Sequence, residues 1–339
     1  MKPARVLIVA PAWLGDAVIS QPLLTLLKRR NPAVVIDILA PAWVGPAYER
    51  MAEVSAVIAS PFAHGELAWG RRRAVAAALK ARQYAQCIVL PNSLKSALIP
   101  WLAGIPLRTG YLGEKRYGLV NDRRKLDPAR FPRLVDRFAA LAVPDGEALP
   151  QALPDPSLRV DSASQAGALA TLELRPNRPV VALCPGAEYG PAKRWPVAYF
   201  AELANDMRAQ GHQVWIFGSS KDAEVGAAIV NLAPASVNLC GRTGLADAID
   251  LLALARLVLT NDSGLMHVAA AVGCRVIALF GSSTPAYTPP LSPRATTISL
   301  RLECSPCFAR TCPLGHTNCL NQLKPQRIHD TIASGPPLV

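Results

Sequence analysis

The sequence predicts an α/β protein built as two similar halves, each a parallel sheet covered by helices on both faces. Three observations carry this reading. Short runs rich in Val, Ile and Leu, apolar on both faces, recur at intervals filled by helix-length stretches, as strands buried from two sides do. The alternation fails once, in a turn-rich connector holding Pro144, Asp145, Gly146, Pro150, Pro154, Asp155 and Pro156, and then restarts. The 339 residues, 51% hydrophobic and 18% charged, suit two cores and exclude wholesale disorder.

In the first half the expected strands are Val6–Ala10, Val34–Leu39, Val54–Ala59 and Cys87–Leu90, with helices over Asp16–Arg30 and Leu67–Arg82. The opening imitates a leader peptide, with basic residues from Lys2 onward before Val6-Leu7-Ile8-Val9-Ala10. Asp16 closes that apolar stretch early and no small-residue cleavage site follows, so it reads as a first strand. After the connector come a helix over Asp161–Leu174 and the segment Arg175-Pro176-Asn177-Arg178-Pro179, and the domain boundary is expected inside the stretch from Pro144 to Pro179. The expected domains are 1–160 and 175–339. In the second half the expected strands are Val180–Cys184, Gln213–Phe217, Val237–Cys240, Leu257–Thr260 and Val276–Phe280. Helices are expected over Val197–Gln210, Asp222–Leu232, Leu245–Leu254 and Ser263–Val272. The longest apolar stretch, Ala97–Leu107, falls short of the roughly 18–20 residues of a bilayer-spanning helix and is broken by Pro100 and Pro106. These features predict a cytoplasmic protein.

The net charge of +12 is unevenly placed. Residues 1–170 hold 22 Lys and Arg against 13 Asp and Glu, or +9; the remainder holds 14 against 11, or +3. A basic first half suits an anionic partner such as a phosphorylated glycolipid or a membrane surface, and equally a solvated basic face. A nucleic-acid partner is not expected, because aromatics are only 6% and no recognition motif is present.

Four segments combine strand ends with polar chemistry. Pro11-Ala12-Trp13-Leu14-Gly15-Asp16 follows the first strand; Gly15 allows a tight turn, and Asp16 reads either as a helix cap or as a carboxylate able to accept a hydroxyl proton. No G-x-G-x-x-G follows that strand, which argues against a nicotinamide or flavin dehydrogenase. In the first half, Asn92, Ser93 and Lys95 follow a strand, and Arg108, Lys115 and Arg116 lie close after; these types suit an acidic or phosphorylated sugar, or form a polar rim. In the second half, Gly186 and Gly190 let backbone approach a ligand, and Lys193-Arg194 supply cations before a helix, as in a phosphate cradle, or form an exposed loop with two solvated charges. Asp262-Ser263-Gly264-Leu265-Met266-His267 joins a strand to a small-residue helix whose first N–H groups suit an anion. Asp262 reads as that helix's cap or as a binder of sugar hydroxyls, and His267 as a phosphate contact or a core histidine.

In this order, Ala10-Pro11-Ala12-Trp13-Leu14-Gly15-Asp16, Leu90-Pro91-Asn92-Ser93-Leu94-Lys95-Ser96-Ala97-Leu98, the segment Pro185–Pro196 and Asn261–Ala270 resemble the ADP-heptose:lipopolysaccharide heptosyltransferases of glycosyltransferase family 9, and most of all their type II branch. The resemblance runs through nearly the whole chain. It implies a GT-B fold, two Rossmann-like domains whose parallel sheets face a central cleft, with acceptor bound by the first and donor by the second. It implies inverting transfer of L-glycero-D-manno-heptose from ADP-heptose to the first heptose of the inner core on Kdo–lipid A; type I transfer and a non-enzymatic sugar-nucleotide-binding protein are the alternatives. Asp16 would be the base, and Gly186, Lys193, Asp222, Asp262, Ser263, Gly264 and His267 the donor residues. Asn92, Ser93, Lys95, Arg108, Lys115 and Arg116 would meet the acceptor. No cofactor would be required for transfer, and peripheral contact with the cytoplasmic face of the inner membrane is expected.

Eight cysteines in a reducing compartment imply no disulfide framework. Cys87, Cys184, Cys240 and Cys274 lie in or beside apolar runs and read as small buried residues. Cys304, Cys307, Cys312 and Cys319 crowd into one loop with Pro306, Pro313 and Gly315, where four thiols suit structural zinc or an iron–sulfur cluster, with His316 able to replace one of them. A metal-free reduced loop, or two disulfides, remains open.

Overall fold

A computed structural model of the chain describes residues 3–62, 66–336 and 338, so the expected domain ends at residues 1, 2 and 339 lie outside the described residues. The apolar runs form strands in two sheets. The first holds β1 (Arg5–Val9), β2 (Val35–Pro41), β3 (Val54–Ser60), β4 (Gln86–Val89), β5 (Leu107–Tyr111) and β6 (Asp122–Arg124). The second holds β7 (Val180–Cys184), β8 (Gln213–Ile216), β9 (Val237–Asn238), β10 (Ala255–Asn261), β11 (Arg275–Leu279) and β12 (Ala295–Ile298). Their orders are β3-β2-β1-β4-β5-β6 and β12-β11-β10-β7-β8-β9, with parallel pairing throughout. Numbered from the start of each half, both sheets share the order 3-2-1-4-5-6 of the Rossmann fold.

Burial on both faces explains the unbroken apolar runs. In the first sheet Leu7, Val9, Cys87 and Val89 pack with Ala76 and Leu79 of the helix Trp69–Lys80, and Ile8 is fully buried as well. In the second, Val181, Leu183, Val214, Leu257 and Leu259 meet Phe200, Leu203 and Met207 of the helix Val197–Ala209. Each such side chain contributes roughly 1.5–3 kcal/mol on burial, which fixes the sheet centres and leaves the strand ends to polar loops. Cys87, Cys184, Cys240 and Cys274 are buried thiols of these cores.

Three features differ from the sequence reading. Ser20 divides the expected helix Asp16–Arg30 into Leu14–Ile19 and Gln21–Arg30; Pro22 opens the second piece, where its missing N–H breaks no helical bond. The edge strands β6 and β12, and β5 beside β6, are not expected from the sequence, since Leu107-Arg108-Thr109-Gly110-Tyr111, Asp122-Arg123-Arg124 and Ala295-Thr296-Thr297-Ile298 lack an apolar run. Contacts divide the chain after Pro156 and not across a gap from 160 to 175. Helix Ser162–Thr171 belongs to the second unit: Asp161 N donates to Asp250 Oδ1 at 2.9 Å and Gln165 Nε2 to Asp250 O at 2.6 Å. No helix among the described residues is long and apolar enough to cross a membrane.

Candidate active site

Open parallel sheets bind ligands beyond the carboxyl ends of their strands, at the point where strand order reverses. Here that point lies between β1 and β4 in the first sheet and between β7 and β10 in the second. The segments carrying Asp16, Asn92–Lys95, Gly186–Lys193 and Asp262–His267 follow these four strands.

In the first unit Asp16 is half-buried in the first turn of the helix Leu14–Ile19, at the positive end of its dipole. It is not the N-cap; Trp13 holds that position, with no side-chain cap bond, and Gly15 is not among the residues with positive φ. The next strand end crosses over this turn, where Trp43 Nε1 donates to Ala12 O at 2.8 Å. Asn92 and Lys115 are exposed, and Ser93 and Lys95 are half-buried. Ser93 caps the helix Leu94–Leu102, its hydroxyl accepting from Ser96 N at 3.3 Å.

Two expected acceptor residues hold structural posts instead of presenting charge. Arg116 is 1% exposed and donates to Tyr111 O, Pro91 O, Ser93 O, Ser96 Oγ and Asn92 Oδ1, so it shapes the Asn92–Ser96 loop from below. Arg108 lies within β5, paired in register with Cys87, and turns back to Leu119 O at 2.7 Å and Ile105 O at 2.6 Å. Two cations read from sequence as a strand-end rim thus satisfy backbone carbonyls that would otherwise be costly to bury.

In the second unit Lys193 Nζ donates to Asp262 Oδ2 at 2.5 Å, and Ser283 Oγ donates to the same oxygen at 2.5 Å. Asp262 therefore orients the lysine and does not cap the following helix, Gly264–Ala271, whose N-cap is Ser263. Lys193 Nζ also lies 5.1 Å from the centre of the Tyr189 ring. Buried Asn261 joins the two strand ends: its Nδ2 donates to Pro185 O at 2.7 Å and its Oδ1 accepts from Trp195 N at 3.1 Å. Gly186 faces the Asp222 carboxyl group so closely that a Cβ there would sit 2.6 Å from it. Asp222 is 8% exposed; its Oδ2 accepts from Ser219 N at 3.0 Å and Ser219 Oγ at 2.8 Å, and its Oδ1 lies 3.8 Å from Arg194.

The four late cysteines converge. Cys304, Cys307, Cys312 and Cys319 line one small cavity with His316 and Ser282. Burial pushes the Cys319 thiol up, and the three neighbouring thiols add to the effect. The Thr317 N–H, donated to the Cys312 sulfur at 3.4 Å, holds that thiol below its ordinary value.

The model of glycosyltransferase family 9 (heptosyltransferase) matches residues 72–318. The chain belongs to glycosyltransferase family 9. Lipopolysaccharide heptosyltransferase 2 of Salmonella typhimurium is 42% identical over 340 residues, covering 97% of this chain and 98% of its own length. Lipooligosaccharide heptosyltransferase 2 of Haemophilus influenzae is 45% identical over 310 residues, covering 87% and 88%. The structure of E. coli ADP-heptose lps heptosyltransferase II superposes with a TM-score of 0.88 at 40% identity, covering 97% of this chain and 98% of that one. The protein is thus a family 9 glycosyltransferase with the two Rossmann-like units expected of the GT-B class.

Sequence reasoning missed three residues of this glycosyltransferase's strand ends. Trp43 had a visible signal: Ala40-Pro41-Ala42-Trp43-Val44-Gly45 repeats Ala10-Pro11-Ala12-Trp13-Leu14-Gly15 almost residue for residue, and places a second exposed tryptophan after β2. Asn261 stood in the segment but looked like a turn residue, and Ser283, far along the chain, carried no local signal.

His267 is 5% exposed, and burial pushes its pKa down to about 4; Lys193 adds to this while Asp262 opposes it. The imidazole is accordingly neutral at pH 7, able to offer one N–H but no charge to a phosphate. An unfolded histidine titrates near 6.5, so between about pH 6.5 and 4 the unfolded chain binds the extra proton and stability falls as pH falls. Urea unfolding of the wild type should lose on the order of 2 kcal/mol more between pH 7 and 5 than the His267→Gln variant. Equal losses in the two proteins would remove His267 as the source.

Proposed function

We propose that this family 9 glycosyltransferase moves L-glycero-D-manno-heptose from ADP-heptose to the first heptose of the lipopolysaccharide inner core, carried on Kdo–lipid A. The observation that carries the reading is the switch point of the second sheet. There Lys193, held by Asp262, stands beside the start of the helix Gly264–Ala271, and a lysine with a helix N-terminus suits a departing diphosphate. Type I transfer has the weaker support, since both relatives named above are type 2 enzymes.

On this reading the first unit binds the acceptor and the second the donor. The Asp16 carboxylate takes the proton from the acceptor hydroxyl as its oxygen bonds to the anomeric carbon. The bond from that carbon to the phosphate oxygen breaks with inversion, and the electron pair departs on ADP, whose charge Lys193 and the helix N–H groups receive. Gly186, Asp222, Ser263, Gly264 and His267 complete the donor subsite. Asn92, Ser93, Lys95 and Lys115 form the acceptor rim over the loop that Arg116 supports. No cofactor takes part in the transfer, and any zinc or iron–sulfur centre held by the four cysteines is structural.

The four exposed tryptophans, Trp13, Trp43, Trp69 and Trp101, all belong to the basic first unit. Amphipathic rings and cations on one unit support peripheral contact with the cytoplasmic leaflet of the inner membrane, where each basic group gains about 1 kcal/mol near anionic lipid. The test is product mass. Incubation with ADP-heptose should add one heptose to a Kdo–lipid A core already bearing one heptose. Extension of the heptose-free core alone, or of neither, would overturn the reading.

A further inference from the structure

The loop from 299 to 317 has neither helix nor strand, and from Glu303 to Asn318 it contains no buried side chain. A stretch of that length without a core needs another tie to hold one conformation. Its three thiols and that of Cys319, in the helix Asn318–Asn321 that follows, are spread over sixteen positions of sequence and nevertheless meet around one cavity of about 20 Å³. That volume accepts a single water-sized centre. The Ser282 hydroxyl on the same wall is 1% exposed and has no hydrogen-bond partner, so a buried polar group is aimed at the cavity without satisfaction. A backbone N–H directed at the Cys312 sulfur is the kind of donor that steadies a metal-bound thiolate.

We propose that Cys304, Cys307, Cys312 and Cys319 bind one soft metal ion, zinc or iron, and that this centre positions the donor loop carrying Lys193. Among the described residues no three His, Cys, Asp or Glu groups are gathered at the spacing of a preformed ion site, so loading draws the four sulfurs inward. A divalent ion displaces the thiol protons as it binds, leaving four thiolates around it and a net charge of −2. His316 stays outside the ligand set, since its Nδ1 accepts from Asn318 N at 3.0 Å.

The loop is stitched directly to the donor segment. Ala192 N donates to Arg310 O at 3.1 Å, Tyr189 Oη donates to Phe308 O at 2.7 Å, and Phe308 N donates to Ser282 O at 2.7 Å. A Cβ at Gly190 would collide with the Arg310 carbonyl, so these backbones are in contact. Arg310 and Lys193 both lie against the Tyr189 ring, at 5.2 and 5.1 Å. Ordering residues 308–310 therefore orders residues 189–193. The positioning role rests on the donor reading above; the metal site does not.

The test is elemental analysis of the full-length protein purified without chelator from cells supplied with both zinc and iron, with ADP affinity measured by calorimetry. The expected result is about one equivalent of zinc or of iron per chain, the analysis itself telling which. That metal should be lost in Cys307→Ser, and stripping with a thiol-directed mercurial and chelator should weaken ADP binding several-fold, reversibly on reloading. Stripping the wild type keeps the test valid if the variant fails to fold. Less than a tenth of an equivalent with four titratable thiols, or a mass deficit from disulfides, overturns the site. Full loading with equal ADP affinity in loaded and stripped protein overturns the positioning role. Metal present with no ADP binding in either form overturns the donor reading and leaves the site standing.

Discussion

Asp16→Asn should lower heptosyl transfer by roughly 10²–10⁴-fold, the usual contribution of a general base, while ADP-heptose still binds. The substitution keeps the size of the side chain and its tolerance for a helix start, and removes the negative charge and with it the capacity to take a proton. It also separates the two readings of this residue. Trp13, not Asp16, is the N-cap of the helix Leu14–Ile19. The charge–dipole interaction of the first turn adds a structural contribution of roughly 0.3–1 kcal/mol. A small drop in unfolding free energy with a large drop in turnover is the signature of the base. Near-normal turnover in a folded variant would end the assignment, whatever the loss of stability.

The parts legible in the sequence were those whose physics is local. β1 and β7 are continuous apolar runs because both their faces are buried, and the loops after them stand out by contrast. The order 3-2-1-4-5-6 then brings β1 to β4 and β7 to β10, which is how segments about 75 residues apart come to share one strand-end crevice. The polar outer strands were illegible for the opposite reason. In β5, Arg108 satisfies carbonyls of its own half and Thr109 bonds Asp122 Oδ2 at 2.8 Å, so polar residues that read as a ligand surface are in fact a strand. Arg116 was misplaced in the same way: a guanidinium is drawn to anions and to buried carbonyls alike, and only the fold decides which it meets. The pairing of Lys193 with Asp262 had no local signal either, because it joins the ends of two strands 69 residues apart along the chain.

That pairing fixes what Lys193→Ala should do. Losing a charge-assisted contact to a diphosphate costs about 1.5–3 kcal/mol, or roughly 10- to 150-fold in ADP affinity. Among the described residues the Asp262 carboxylate would then keep only Ser283 as a hydrogen-bond donor, and as an anion 6% exposed it would also repel the bound phosphates. Transfer should fall further than binding, because the charge on the leaving group grows as its bond to the sugar breaks. Adding Asp262→Asn to Lys193→Ala should recover part of the lost affinity, since it removes the repulsion without restoring the cation. Replacing exposed Lys115 with Ala should leave ADP binding unchanged and raise only the acceptor concentration needed for half-maximal rate. AMP lacks the terminal phosphate of ADP, so its affinity should change much less than that of ADP when Lys193 is removed. Equal losses for AMP and ADP would place Lys193 at the nucleoside end or in the loop's stability alone. Unchanged ADP affinity by calorimetry would take it out of the donor subsite.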